Sequence, residues 1–546
     1  MDSPEQLTRL LRHDEDESKL ADDLSSYISN RLNQRFSFDE FTKEIKSELG
    51  QVLSSRLKAD TCSSKLKLNC VSLCRVLSRD SNQIDVLFSP ELVQVLCSLA
   101  GYLSETMPAW QNNVETALIE IEAKKCLSNA TFHSSAVRDA FLGHHCFQSL
   151  CRSLKFFAGA AVSEHVRADL SDLAANEDRL AFDVRCFFVV TARCSWLRQK
   201  AYRQHEALHS FSFLLEKYSA EQLSPRHAAL LSDMLKALFN VAANFRSDSL
   251  SEQDRLDCNR VSRVCRQLLV AKVTEDGVNT TDSLEMDLRT NCINILTVLP
   301  TVCFEFLVVQ ADQNTPSAFE GCDMRALDAI LDVTAARADS DKRDDKDLLI
   351  PTFALLIDLA RSNRKYRKYL RFRVLPPLAD EVLRKPEEGD SLRNKMVRLM
   401  TAVGSVGQVS AHFLFELCKQ SVDRLIKYTG YGNAAGLLAN YGMLMGNPDR
   451  DPSSESENSD TEEYENVKDK VNPVVGYVEE PRPNPLAGMS EEQKEYEAMQ
   501  LVNKIDQLMK QGVIKPATVG EDGHLKEVEH VLELQKDVQE EELDSD

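Results

Sequence analysis

The chain lacks the linear signatures of the familiar catalytic machineries. It has no GxxxxGKS or GxxxxGKT phosphate loop, no GxSxG and no CxxC. Spatial triads leave no linear trace, so this excludes familiar enzymes rather than all enzymes. No window approaches eighteen uninterrupted apolar residues, and the N-terminal MDSPEQLTRLLRHDEDESK has no apolar signal core. A cytoplasmic protein, neither secreted nor membrane-spanning, is expected. Positive charge is in deficit: 65 Lys and Arg stand against 86 Asp and Glu, a formal net charge of −21. Such a chain repels nucleic acid and anionic membranes unless a local basic patch overrides the field. The 15 cysteines are scattered. In helical segments such thiols behave as small apolar residues of a reducing compartment. Cys70 and Cys74, four apart, read as an ordinary thiol pair rather than a metal pair.

What is present is helix. Through residue 425, glycine is sparse and apolar residues recur at three- and four-residue spacing. An all-α body of that length is usually repetitive. "LCRVLSRDSNQIDVLF" from Leu73, "KCLSNATFHSSAVRDAFL" from Lys125, "LKALFNVAANF" from Leu235 and "LLIDLARSNRKYRKYL" from Leu355 share an apolar helix face followed by a small or polar residue beside Asn or Arg. Their corresponding positions are Arg79, Asn129, Asn240 and Arg361, with weaker echoes near Arg193 and Thr297. Spacings of roughly fifty to sixty residues suit irregular armadillo or HEAT-like repeats, an α-solenoid (superhelix). A compact helical bundle is the alternative. "VTEDGVNTTDSLEMD" and "RADSDKRDDKD" read as polar loops interrupting the body.

Five segments follow from this reading: a repeat body over 1–425, a Gly-rich closing segment over 426–447, an acidic and Pro-rich regulatory linker over 448–489, an amphipathic helix over 490–512, and an acidic, disordered tail over 513–546. Residues 449–469 hold nine acidic side chains and two basic ones. Ser490 and Gln493 form a capping box, and Gly512 can end the helix they open. Tyr496, Met499, Val502, Ile505, Leu508 and Met509 make one apolar stripe. An isolated helix cannot bury such a stripe by itself, so it must dock on the body or on a partner.

Three features invite chemical readings. The glycines of 430–446 lack the Lys and hydroxyl of a phosphate loop, so a tightly packed helix boundary is expected there. Asn503-Lys504-Ile505-Asp506 spells NKxD, but in mid-helix it cannot read a guanine base. Arg75 and Arg79 lie four apart on one helix face, and seven cations lie between Arg361 and Arg373. Each cluster could receive a partner's carboxylates, although any single Arg or Lys is more often a solvated face. Tyr366, Tyr369 and Phe372 interleave the second cluster, as in RNA binders, against the overall charge. Ser454 and Ser459 each have Glu three residues later, which suits a casein-kinase-2-type kinase. Their phosphates would pin the tract to a basic patch.

With these segments in view the chain resembles the synembryn family, chaperones and guanine-nucleotide exchange factors of heterotrimeric G-protein α subunits. "SLCRVLSRD", "KCLSNATF", "ALFNVAANF", "DLLIPTFALLIDLARSNRKYRKYLRFRVLPPL", "TGYGNAAGLLANYG", "DTEEY" and "NPLAGMSEEQKEYEAMQLVNKIDQL" carry the resemblance, in order over most of the chain. It implies an armadillo/HEAT-type superhelix that binds the last helix of the α subunit, with GDP-bound or nucleotide-free α subunits as partners. It implies groove residues at Arg75, Arg79 and Asn129, with Phe239 and Asn240 as a looser transfer. It implies a partner-contacting tail helix bearing Tyr496, Met499, Val502 and Ile505, and activating phosphorylation at Ser454 and Ser459. It further implies a monomer without cofactor, metal or catalytic side chain, recruited from the cytoplasm to the cell cortex. A peptide-binding scaffold without exchange activity is the rival reading. A nuclear-transport adaptor would need a ladder of Trp and Asn, and the chain has only Trp110 and Trp196.

Overall fold

The computed structural model describes residues 3–13, 16–103, 114–162, 173–243, 245, 250–275, 278–279, 282–312, 315–444, 461–479, 486, 488–515, 517–520 and 524–528. The chain divides into two compact units, Met1–Val309 and Gln310–Asp546. The body expected as one run over 1–425 thus spans both.

The first unit is a stack of helices: α1 (Pro4–His13), α2 (Glu17–Tyr27), α3 (Lys43–Lys58), α4 (Ser64–Leu77), α5 (Ile84–Leu87), α6 (Pro90–Leu99), α7 (Val114–His133), α8 (Ser135–Gly143), α9 (Cys146–Val162), α10 (Leu173–Arg193), α11 (Ser195–His205), α12 (Ala207–Tyr218), α13 (Pro225–Ala242), α14 (Glu252–Val270) and α15 (Asp282–Leu296). Serines cap the start of many of them. The side chains of Ser63, Ser89, Ser134, Ser224 and Ser251 each accept a hydrogen bond from a first-turn amide that has no partner within the helix, and Pro90 and Pro225 occupy first positions where no amide is needed.

Packing runs in two rows. In the first, α4 lies on α7, α7 on α10, α10 on α13 and α13 on α15. In the second, α9 lies on α12, α12 on α14, and α14 on a 3-10 turn at Thr301–Leu307. The shorter helices α8 and α11 link the rows, so α7–α9 and α10–α12 are each a three-helix repeat. This is the armadillo-like pattern of an all-α solenoid, in which each repeat buries its apolar face on the next. The positions picked out by repetition, Arg79, Asn129, Arg193, Asn240 and Thr297, all fall at or near the C-terminal ends of first-row helices. The segment "VTEDGVNTTDSLEMD" is less of a loop than expected. Lys272–Glu275 pairs with Val278–Asn279, and α15 begins at Asp282.

A buried polar cluster fixes the middle of the first unit. The Lys124 ammonium lies 2.9 Å from both Glu120 and Asp183. Asp183 also accepts from the Tyr102 hydroxyl at 2.7 Å and the Ser153 hydroxyl at 2.5 Å. Arg179 donates to Glu120 at 2.9 Å and to Asn176 at 2.9 Å. Burial would lower the Lys124 pKa, but the carboxylates of Asp183 and Glu120 outweigh it and raise the value. Two cations face two anions, so the cluster is neutral and its register is unique.

The second unit holds α16 (Arg325–Ala338), α17 (Arg343–Asp347), α18 (Leu349–Ser362), α19 (Arg364–Val374), α20 (Leu392–Met400), α21 (Ser405–Leu417), α22 (Val422–Thr429), α23 (Tyr431–Tyr441), α24 (Glu462–Glu465) and α25 (Glu491–Lys510). Its core centres on α18 against α21, with Phe353 and Phe413 rings 5.7 Å apart. The second polar segment, "RADSDKRDDKD", includes the short helix α17.

Removing the Lys124 cation leaves Asp183 buried without its charged partner and Glu120 with Arg179 alone. Lys124→Met should lower unfolding stability by about 3–5 kcal/mol, read as a fall in the urea midpoint; a midpoint unchanged from the parent would refute the cluster's role.

Candidate functional site

The outward face of the first row carries a ladder of charge. Arg75 of α4 pairs with Glu122 of α7 at 2.5 Å, across 47 residues of sequence. Lys125, one turn further along α7, also pairs with Glu122 at 2.8 Å and lies 5.3 Å from the Phe182 ring of α10. The motif then repeats. Arg185 of α10 pairs with Asp233 of α13 at 3.1 Å, across 48 residues, and Lys236 reaches the same carboxylate at 3.3 Å. Each acid therefore sits between an Arg of the preceding helix and a Lys of its own.

The arithmetic favours an anion. Each unit of the ladder has two cations and one carboxylate. The acids are covered, with Glu122 14% and Asp233 13% exposed, while Lys125 is 34% and Arg185 52% exposed. Positive charge therefore faces solvent in a chain whose total is strongly negative. Arg79 adds to it. Its guanidinium donates to the Asn33 carbonyl at 2.6 Å and lies 5.5 Å from the exposed Phe36 ring. Burial, and then the neighbouring Arg75 charge, lower its pKa, as expected where two cations are held together.

The two asparagines do something else. Asn129 donates its amide to Ser78 at 3.1 Å, tying α7 to the end of α4. Asn240 is 7% exposed and donates to the Phe188 carbonyl at 3.2 Å and the Thr191 hydroxyl at 3.1 Å, tying α13 to α10. Both are staples between successive repeats. Asn240 is enclosed by its own fold, so its sequence-based placement as a contact residue becomes a supporting one. Phe239, its neighbour, stays half-buried at the end of α13. Sequence reasoning missed Glu122, Lys125, Arg185, Asp233 and Lys236. The available signal was an acid followed three residues later by Lys, recurring one repeat after an Arg.

In the second unit the tail helix α25 is capped as expected, Ser490 and Gln493 exchanging side-chain and backbone bonds. None of its residues is buried. Tyr496 is 63% and Met499 65% exposed, while Val502 and Ile505 are half-covered. Asn503–Asp506 lies within this helix. Ser454 and Ser459 fall outside the described residues.

The basic helix α19 is less available than its sequence suggests. Tyr366 and Tyr369 are buried, and Tyr369 donates to Asp328 at 2.7 Å. Arg373 pairs with Asp328, Lys368 with Glu320 at 3.1 Å and Arg361 with Glu416 at 2.5 Å. Phe372 is the exposed ring of the three, and it stacks on Phe319. Two of the three aromatics that hinted at base stacking are therefore core residues. Cys70 and Cys74 are fully buried, and burial pushes the Cys74 thiol up to about 12. Among the described residues no group of three His, Cys, Asp or Glu could hold a metal ion.

A family model described as guanine nucleotide exchange factor synembryn matches residues 70–524, a span that includes the ladder, both asparagine staples and α25. The chain belongs to the synembryn family. Chaperone Ric-8A of Danio rerio is 34% identical over 521 residues, covering 91% of this chain and 90% of that protein. Chaperone Ric-8A of Gallus gallus is 32% identical over 519 residues, covering 92% of each. That of Xenopus laevis is 32% identical over 533 residues, covering 94% of each. No described helix is long and apolar enough to cross a membrane.

Loss of a staple should be visible in stability. Asn240→Ala strips the Thr191 hydroxyl and Phe188 carbonyl of a donor and should cost about 1–3 kcal/mol, measured by urea unfolding. A change within error would mean that the α10–α13 contact does not need it.

Proposed function

We propose that this chain is a folding chaperone and guanine-nucleotide exchange factor for G-protein α subunits, acting by coupled binding. Membership of the synembryn family is the observation that carries the proposal. The ladder supports it because it offers residual positive charge to an acidic helical peptide or a terminal carboxylate, which is the chemistry expected at the C-terminus of the partner. Arg75, Arg79 and Phe239 make the contacts, and Asn129 and Asn240 hold the helices that present them. The stripe Tyr496, Met499, Val502 and Ile505 of α25 makes a second contact with the same partner.

The mechanism needs no reacting side chain. An α subunit exists in nucleotide-bound and nucleotide-free states. A protein that binds the vacant state more tightly by some factor lowers the partner's nucleotide affinity by that same factor. Gripping the C-terminal helix disturbs the loop that holds the guanine base, and the tail helix supports the loosened domain. GTP closes the site and expels the helper. Preference for an incompletely packed partner also makes the protein a chaperone. Phosphorylation of Ser454 and Ser459 by a casein-kinase-2-type kinase adds charge to the acidic tract and fastens it to basic residues of the body. The protein works as a cytoplasmic monomer, recruited to the cell cortex by its partner.

The test is a charge reversal. Arg75→Glu with Arg79→Glu should weaken binding of a peptide from the C-terminus of an α subunit by about tenfold or more, equivalent to about 1.4 kcal/mol, with an unchanged circular-dichroism spectrum. Unchanged affinity would remove the ladder from the site. Nucleotide release from a purified α subunit separates the rival: no acceleration at stoichiometric amounts would leave a peptide-binding scaffold.

A further inference from the structure

The chain on either side of α25 returns to the same helix, α23. On the N-terminal side, Val471–Asn472 pairs with Tyr477–Val478 as a hairpin. The turn of this hairpin sits on the start of α23: the Tyr431 amide donates to the Pro473 carbonyl and the Gly432 amide to the Val474 carbonyl, both at 2.8 Å. Two glycines make that approach possible. A β-carbon on Gly430 would lie 2.8 Å from the Val475 carbonyl carbon, and one on Gly476 would lie 2.9 Å from the Gly430 α-carbon. Both residues have positive φ, 79° and 76°, which glycine adopts without cost.

On the C-terminal side, Ala517–Val519 pairs with Leu525–Glu527. The His524 ring at the turn of this second hairpin rests on Gly442, the left-handed cap that ends α23. A β-carbon on Gly442 would lie 2.5 Å from the imidazole Nε2. Val528, just beyond, is buried at 8% exposure. The two contacts therefore stand at opposite ends of one eleven-residue helix, which sets their separation at about 16 Å.

We propose that α25 is carried as an arch with one foot at each end of α23, and that Gly476 and His524 are positioning residues that hold α25 at a fixed reach from the body. This rests on the reading of α25 as a partner-contacting helix. A segment anchored at both ends explores less space than one anchored at one end. Its effective concentration for a partner already held elsewhere on the protein is correspondingly higher. The arch supplies what an unpartnered amphipathic helix otherwise lacks, a defined place from which to meet its target.

The second foot can be removed without touching the stripe. His524→Ala takes away the ring on Gly442, while His524→Phe keeps a flat ring and removes the imidazole nitrogens. A lone two-stranded hairpin is only marginally stable in water, so amide protection across 517–528 reports whether the foot is docked. In the full-length protein without partner, His524→Ala should raise hydrogen exchange there by about tenfold or more, a change of about 1.4 kcal/mol in local opening. His524→Phe should restore protection, and exchange in α18 and α21 should not change. Parent-like exchange in His524→Ala would overturn the arch whether or not the chain binds an α subunit. With a purified α subunit, His524→Ala should bind the isolated C-terminal peptide as the parent does and the whole subunit more weakly. Equal or tighter binding of the whole subunit would overturn the positioning role, and failure of the parent to bind either would instead refute the proposed function.

Discussion

Lys124 fixes the register on which the candidate site depends. Its ammonium is shared between Glu120 and Asp183 inside the first unit, and Tyr102, Ser153 and Arg179 complete the cluster. A buried charge tolerates no slip, because an unpaired partner costs several kcal/mol. On the same helix, Glu122 and Lys125 point the other way. With Lys124 and Glu120 committed to the interior, helical periodicity leaves Glu122, Lys125 and Asn129 on the outward face. The interior pairing thus determines which charges the surface displays.

That surface inverts the sign of the whole protein. At −21 the chain repels most anions, yet each unit of the ladder leaves a net cation facing outward. Such a local inversion is selective. It favours a partner that brings its negative charge at a defined spacing and disfavours a diffuse polyanion such as nucleic acid, which meets the full field. The carboxylates within the ladder also hold Arg75 and Arg185 in place before a partner arrives, so less side-chain freedom is lost on binding.

Much of the first unit is legible in its sequence because repeat architectures write their period twice. It is written in the apolar faces, which place Arg79, Asn129 and Asn240 at corresponding positions. It is written again in the bonds between repeats: Arg75 to Glu122, Asn129 to Ser78 and Arg185 to Asp233 span 47, 51 and 48 residues. The second kind is invisible until the stacking is known, so the ladder escapes a linear reading and Asn240 passes for a contact residue. Local rules succeed where local physics decides: Ser490 and Gln493 cap α25 from within four residues. They fail where distant segments meet. The stretch 448–489 reads as a linker from its charge and prolines, yet Tyr464 is buried beneath Lys427, and Pro473 and Val474 clasp the start of α23. Tyr366 and Tyr369 interleave the basic cluster in sequence and prove to be core, because helical phase, not composition, decides which ring faces inward.

In the proposed mechanism, exchange and chaperoning are one preference, for an α subunit that has lost its nucleotide. Isothermal titration of the full-length protein against one purified α subunit, once saturated with GDP and once nucleotide-free, measures that preference directly. Markedly tighter binding of the vacant form is expected, with release of GDP accelerated in proportion; equal affinity for the two forms would contradict coupled exchange.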